Sequence, residues 1–232
     1  KVSRVSLHHT LGGGGRHGAA LTGRTGQWLI GIEVALTVVL VAGAGLMVKS
    51  LLRTAAVDVG FDPRAVLTMD ATPIAQEPAV LTAYYRDLRD RLRAMPGVAD
   101  VSAVDYLPMG ESSRVGFFSA NAGARDAAAT YRNVMPGYTS ALGQAVVQGR
   151  EPSEAEIAAG GPFFMINARA AREWFPDGAA VGQMLTKAAG GTGPIVGVVR
   201  DIRQDGPLWE SDAEVLVFSN APIAGAIRAP LP

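Results

Sequence analysis

The sequence predicts an α+β protein: one N-terminal transmembrane helix followed by a mixed α/β domain with strand-helix-strand units. Three observations predict it. Trp28 to Val48 is a run of 21 residues whose single charge is Glu33. From Ala65 onward, short apolar or alternating runs take turns with segments whose apolar residues recur at three- and four-residue steps. The charge is also uneven. Residues 1–27 hold Lys1, Arg4, Arg16 and Arg24 without an acid, whereas the 21 basic and 21 acidic residues of the whole 232-residue chain cancel.

The apolar run has the length of a membrane span, since a hydrocarbon core of about 30 Å needs about 20 apolar residues at ~1.5 Å rise each. A buried core helix runs shorter and carries a polar stripe, which this run lacks. A cleavable signal has an apolar stretch of about 7–15 residues near the N-terminus. This one is longer and follows 27 residues, so an uncleaved helix over 28–52 is expected in spite of the small residues Ala42–Gly45. An unpaired carboxylate in the bilayer costs about 2.5–3.5 kcal/mol at the helix centre and less near its edge. Glu33 must therefore be protonated, reach the interface or face another helix. Gly31 and Ala35 form a small-xxx-small pair, and Gly43 and Gly45 belong to a second smooth patch, Ala42–Gly45. Gly31, Glu33, Ala35, Gly43 and Gly45 are thus the candidates for helix packing in the membrane. Arg16 and Arg24 on one side balance Lys49 and Arg53 on the other, so charge leaves the orientation open.

After a Gly-Phe-Asp-Pro turn, Ala65–Ala71 reads as a strand. Pro78 opens a helix whose apolar stripe is Leu81, Tyr84, Tyr85, Leu88, Leu92 and Met95, with Arg86, Asp87, Arg89, Asp90, Arg91 and Arg93 opposite. "MPGV" ends it, and Val98–Asp105 alternates as the next strand. Pro108–Thr130 reads as a loop-rich insertion with one strand at Val115–Ser119. A strand from Tyr131 to Met135 follows, then a short helix to Leu142, a strand at Ala145–Gln148 and a helix from Pro152. Phe163–Ile166 is a strand, Asn167–Phe175 a helix, Ile195–Val199 a strand, and Glu214–Phe218 the last strand. The expected organisation is a basic leader (1–27), the helix (28–52), a core domain (57–220) and a tail (221–232).

Chemistry finds little support. No cysteine is present, and His8, His9 and His17, the only histidines, precede the span. "GGGGRHG" ends in Gly18, Ala19 and Ala20, without the lysine and hydroxyl of a phosphate loop. "GGTGPIVG" fails the dinucleotide spacing and reads as a hairpin or surface turn at Gly190–Gly193. Asp58, Asp62 and Asp70 do not have calcium-loop spacing, and Ser112 and Ser113 lack a histidine partner. No catalytic, cofactor or metal residues are expected, and the sparse basic leader makes a poor nucleic-acid track.

The stretches "IEVALTVVLVAGAGLMVKSLLR", "VDVGFDPRAVLTMDATP", "YYRDLRDRLRAMPGVADVSAVDYLPMG", "VMPGYTSALGQAVVQGREPSEAE", "INARAAREWFPDGAAVGQML" and "IVGVVRDIRQDGP", in this order over Ile32–Pro207, resemble a MacB/FtsX-type ABC transporter permease of the duplicated orphan kind. The resemblance implies a non-catalytic permease fragment of a bacterial inner membrane. Its leader would be cytoplasmic, and a MacB-like periplasmic core would lie on the extracytoplasmic side. It also implies the lipid bilayer, a separate ABC ATPase and other permease helices or a second permease copy as partners, and further membrane helices beyond Pro232. The alternative from another class is a single-span extracytoplasmic sensor or binding domain, and behind it a membrane-anchored enzyme.

Overall fold

The computed structural model describes residues 19–61, 66–71, 77–110, 114–120, 127–176, 178–188, 190–203, 206, 209–220 and 226–230. The histidines, the Gly12–Gly18 run, Asp62, Ser112 and Ser113 lie outside them. The chain divides into two compact units, Lys1–Ala56 and Val57–Pro232.

Among its described residues the first unit has one helix, α1 (Ala19–Ala55), with Arg53 in its last turn, where a cation favours the negative end of the helix dipole. It begins nine residues before Trp28, so part of the expected leader is helical. Its apolar part, Gly26–Ala55, is long and apolar enough to cross a membrane.

The second unit contains β1 (Val66–Asp70), α2 (Pro78–Arg93), β2 (Ser102–Val104), β3 (Arg114–Ser119), β4 (Ala127–Val134), α3 (Tyr138–Leu142) and β5 (Val146–Gly149). It continues with α4 (Glu154–Ala159), β6 (Phe163–Asn167), α5 (Ala168–Trp174), β7 (Met184–Lys187), β8 (Gly191–Val199), β9 (Glu214–Phe218) and β10 (Ala226–Pro230). The mixed α/β domain behind an apolar helix is therefore present. Its strand pairings close on themselves. β4 pairs with β3, β3 with β7, β7 with β8, β8 with β6, β6 with β9, and β9 returns to β4 in parallel.

Strand alternation divides the packing into two layers. From β6 and β9, Phe164, Ile166, Val215 and Val217 join Phe118, Leu185 and Ile195 in one apolar cluster. Their neighbours Met165, Leu216 and Phe218 join Val134, Tyr138, Leu142 and Ile157 in a second. Both strands are covered on both faces, which is why they read as continuous apolar runs. Helix α5 packs on the first cluster, and its Trp174 stacks on Phe118 with centroids 6.4 Å apart. Helix α4 is fixed by a capping box: Glu156 N–H donates to Ser153 Oγ, and Ser153 N–H to Glu156 Oε2.

β1, β10 and β2 form a side sheet, with β10 antiparallel to both others and one residue pair, Val104↔Val134, joining it to β4. The expected strand-helix-strand unit is present as β1–α2–β2, but β10 stands between its strands. β10 thus corrects the reading of β9 as the last strand. Helix α2 covers a third cluster through Tyr85, Leu88 and Leu92, and the Tyr85 hydroxyl donates to the Ala71 carbonyl at 2.6 Å. Arg89 is buried rather than on the solvent face. It lies four residues from Tyr85, on the same side of the helix, and its guanidinium reaches Glu154 at 2.7 Å.

Further differences are local. β2 is shorter than Val98–Asp105, β4 starts at Ala127, and β7 was not foreseen. Gly191 and Gly193 belong to strand β8 rather than to a turn. Gly193 has a steric reason to be there: a β-carbon at this position would lie 1.8 Å from the Pro162 carbonyl oxygen. Gly193→Ala should accordingly lower the unfolding free energy by at least about 2 kcal/mol, measured by urea unfolding of the chain in detergent. A variant as stable as the parent would mean that β6 and β8 do not approach this closely.

Candidate functional site

Gly31, Glu33, Ala35, Gly43 and Gly45 all lie on α1, whose large apolar side chains are uncovered: Trp28 is 74% and Met47 76% exposed. A contiguous apolar surface of this extent marks a membrane or an interface. At about 100° per residue, Gly31, Ala35, Ala42 and Gly45 fall within an arc of about 80°. Gly43 lies off that face, and Glu33 lies about 160° round from Ala35. Of the candidates, Gly31, Ala35 and Gly45 therefore share one small-residue face, and Gly43 and Glu33 lie apart from it. A β-carbon on Gly31, Gly43 or Gly45 would meet no atom within 4 Å, so nothing within the described chain requires glycine there. The Thr37 hydroxyl donates to the Glu33 carbonyl oxygen at 2.7 Å, which satisfies the threonine inside the apolar stretch.

The strongest buried electrostatics belong to the second unit. Arg132 on β4 and Glu214 on β9 meet diagonally across the parallel pair, two positions apart in register, Nε donating to Oε1 at 2.8 Å, with each side chain 2% exposed. Arg132 Nη1 also donates to the Tyr106 carbonyl. Glu214 Oε2 has no hydrogen-bond partner among the described residues. Nearby, Asp105 accepts from the Asn133 backbone N–H and side-chain amide at 3.0 and 2.7 Å. Burial pushes the Asp105 carboxyl above its ordinary value against these bonds.

Sequence reasoning missed this pair although its signal was present. Arg132 is the one charge in "AAATYRNV" and Glu214 the one charge in "EVLVF", and opposite charges in apolar strands point to each other. The arrangement is structural in character. A guanidinium does not lose its proton in proteins, and the groups around it hold β2, β4 and β9 together. Among the described residues no group of three or more His, Cys, Asp or Glu side chains is placed to hold a metal ion.

Residues 32–224 match the family model of the MacB-like periplasmic core domain. No curated protein sequence matches the chain. Among solved structures it is similar to the periplasmic region of MacB from Actinobacillus actinomycetemcomitans, at 13% identity over 74% of this chain and 76% of that one, TM-score 0.49. It is also similar to the extracellular domain of the ABC-type transporter YknZ from Gram-positive bacteria, at 16% identity over 72% and 83%, TM-score 0.47. A domain of a permease protein from Porphyromonas gingivalis matches at 12% identity over 74% and 77%, TM-score 0.45.

Removing one partner of a buried ion pair costs about 3–5 kcal/mol, whereas replacing both by apolar groups is often neutral. Arg132→Met should therefore destabilise the chain by that amount, and adding Glu214→Leu should restore most of the loss, both read by urea unfolding. Additive losses in the double variant would show that the two side chains act separately.

Proposed function

Because the chain belongs to the family of MacB-like periplasmic core domains, a component of ABC-type transporter permeases, we propose that it couples membrane-helix movement, driven by a separate ATPase, to an extracytoplasmic domain acting in export or in contact with partners. The family is a transporter component rather than a catalytic one. In this reading α1 crosses the inner membrane with its N-terminal end in the cytoplasm, and residues from Val57 onward stand outside. The uncovered surface of α1 carries the proposal. Its small-residue face fits close packing against other permease helices or a second permease copy, and Glu33 faces another partner or the interface. A helix that changes its packing can tilt or shift. With Val57 following Ala55 by two positions, such a movement is transmitted to a unit stiffened by closed strand pairing.

Two outcomes are expected. A reporter active only outside the cytoplasm works when fused after Phe218, and a cytoplasmic reporter works when fused before Trp28; the opposite pattern sinks the proposal. In the intact transporter, Gly45→Leu reduces transport-linked resistance at normal membrane abundance. Gly43→Leu, which lies off the small-residue face, does so less. Glu33→Leu inserts more readily yet still impairs transport if the carboxylate meets another helix. Full activity in all three variants would instead favour a passive anchor carrying a sensor or binding domain.

A further inference from the structure

A groove runs along α5 and has two chemically distinct halves. One half, about 510 Å³, is lined by charged residues, among them Arg169, Arg172, Arg200, Arg203, Asp58 and Asp201. The other, about 420 Å³, is lined by apolar side chains, among them Val147, Ala171, Phe175, Pro176, Ala180 and Val198. The halves are continuous, because Val147, Ala168 and Arg172 line both. Each volume is in the range of small-molecule sites, which are about 300–1,000 Å³.

The charged half is built for an anion. Among the described residues, four arginines and three acids line it, a formal excess of one positive charge. The acids are spent on positioning. Asp201 accepts the Arg169 backbone N–H at 2.7 Å through one oxygen and Arg172 Nη2 at 3.1 Å through the other. Asp58 accepts the Gly60 N–H at 2.9 Å and Arg200 Nη2 at 2.7 Å in the same way. Arg169 Nη1 meets Glu210 at 3.4 Å. Arg169, Arg172 and Arg200 each use a single guanidinium nitrogen in these bonds, which leaves the other N–H donors of a five-donor fork without a partner among the described residues. The backbone donor of Arg169 is taken by Asp201, so the side chains and not the short helix supply the anion contacts.

We infer that this groove binds an anionic amphiphile, its phosphate or carboxylate head on Arg172 and Arg200 and its hydrocarbon tail along Val147, Ala171 and Phe175. Neither half explains the other on a purely structural account. Exposed ion pairs need no adjacent apolar trough, and the trough is open at Val147, which is 56% exposed. An amphiphile satisfies both at once, and it could be a lipid of the bilayer or a free molecule, since the head and tail chemistry is shared. The inference rests on the groove alone and does not require an ATPase or a particular membrane orientation.

The test is equilibrium dialysis of radiolabelled decyl phosphate, below its micelle concentration, against the full chain in phosphatidylcholine nanodiscs, with empty nanodiscs as the blank. Saturable binding of one molecule per chain is expected. Decanol should bind at least about tenfold more weakly, as for the loss of a charge-assisted contact. Affinity should rise about two- to fourfold per added methylene. Arg172→Glu/Arg200→Glu should lose at least about tenfold. Ala171→Trp, which fills the apolar half and leaves the arginines, should abolish the dependence on tail length. Far-UV circular dichroism and melting temperature check that both variants fold. Adding phosphatidylglycerol to the nanodisc separates the sources: displacement of decyl phosphate identifies the bilayer lipid, and undisturbed binding identifies a free amphiphile. Equal saturable binding of decyltrimethylammonium overturns the inference, as does parent-like binding in both folded variants or the absence of saturable binding.

Discussion

Both principal apolar layers of the second unit depend on one strand that is buried at every residue. β9 has no solvent face: Val215 and Val217 enter one layer, Leu216 and Phe218 the other. Its two edges are also occupied, by β4 in parallel and β6 antiparallel. A strand so enclosed must satisfy every backbone donor and acceptor through its neighbours, because water cannot reach them. Its one charged residue, Glu214, is compelled to find an internal cation, and Arg132 on the adjacent strand supplies it at 2.8 Å. Beside this frame, the guanidinium groups of Arg172 and Arg200 are held by Asp201 and Asp58.

The sequence was legible where a periodic signal was long or where a run was apolar on both faces. The apolar part of α1, α2, β6 and β9 fall into this group, because hydrophobic spacing alone specifies them. β7 has four residues, of which only Leu185 is buried, and so carries almost no pattern. β10 could not be placed from local spacing, since its partners β1 and β2 lie more than a hundred residues earlier. The charge of Arg89 points to solvent, but its helical position buries it. The fourth residue after a buried tyrosine shares its helix face, and Glu154 makes the burial tolerable.

The helix candidates show the same division. That Gly31, Ala35, Gly43 and Gly45 are small is written in the sequence, but which of them share a face follows only once the segment is known to be one uninterrupted helix. The groove along α5 was illegible for a different reason. Its arginines come in two pairs three residues apart, Arg169 with Arg172 and Arg200 with Arg203, about thirty positions from each other in the chain. Only the parallel pairing of β6 with β8 brings the residues after these strands to the same end of the sheet.

The position of β10 has a consequence for how the domain comes into being. A polypeptide is made from its N-terminus, so β1 and β2 exist well before residues 226–230. Until then each lacks the neighbour that separates them, and the side sheet exposes two unfilled strand edges, the kind of surface that invites wrong pairing. Contacts this distant in sequence also form slowly, because a long loop must close before they are rewarded. The part of this domain first to appear is thus the last to be completed, and during that interval its open strand edges are a liability for wrong pairing.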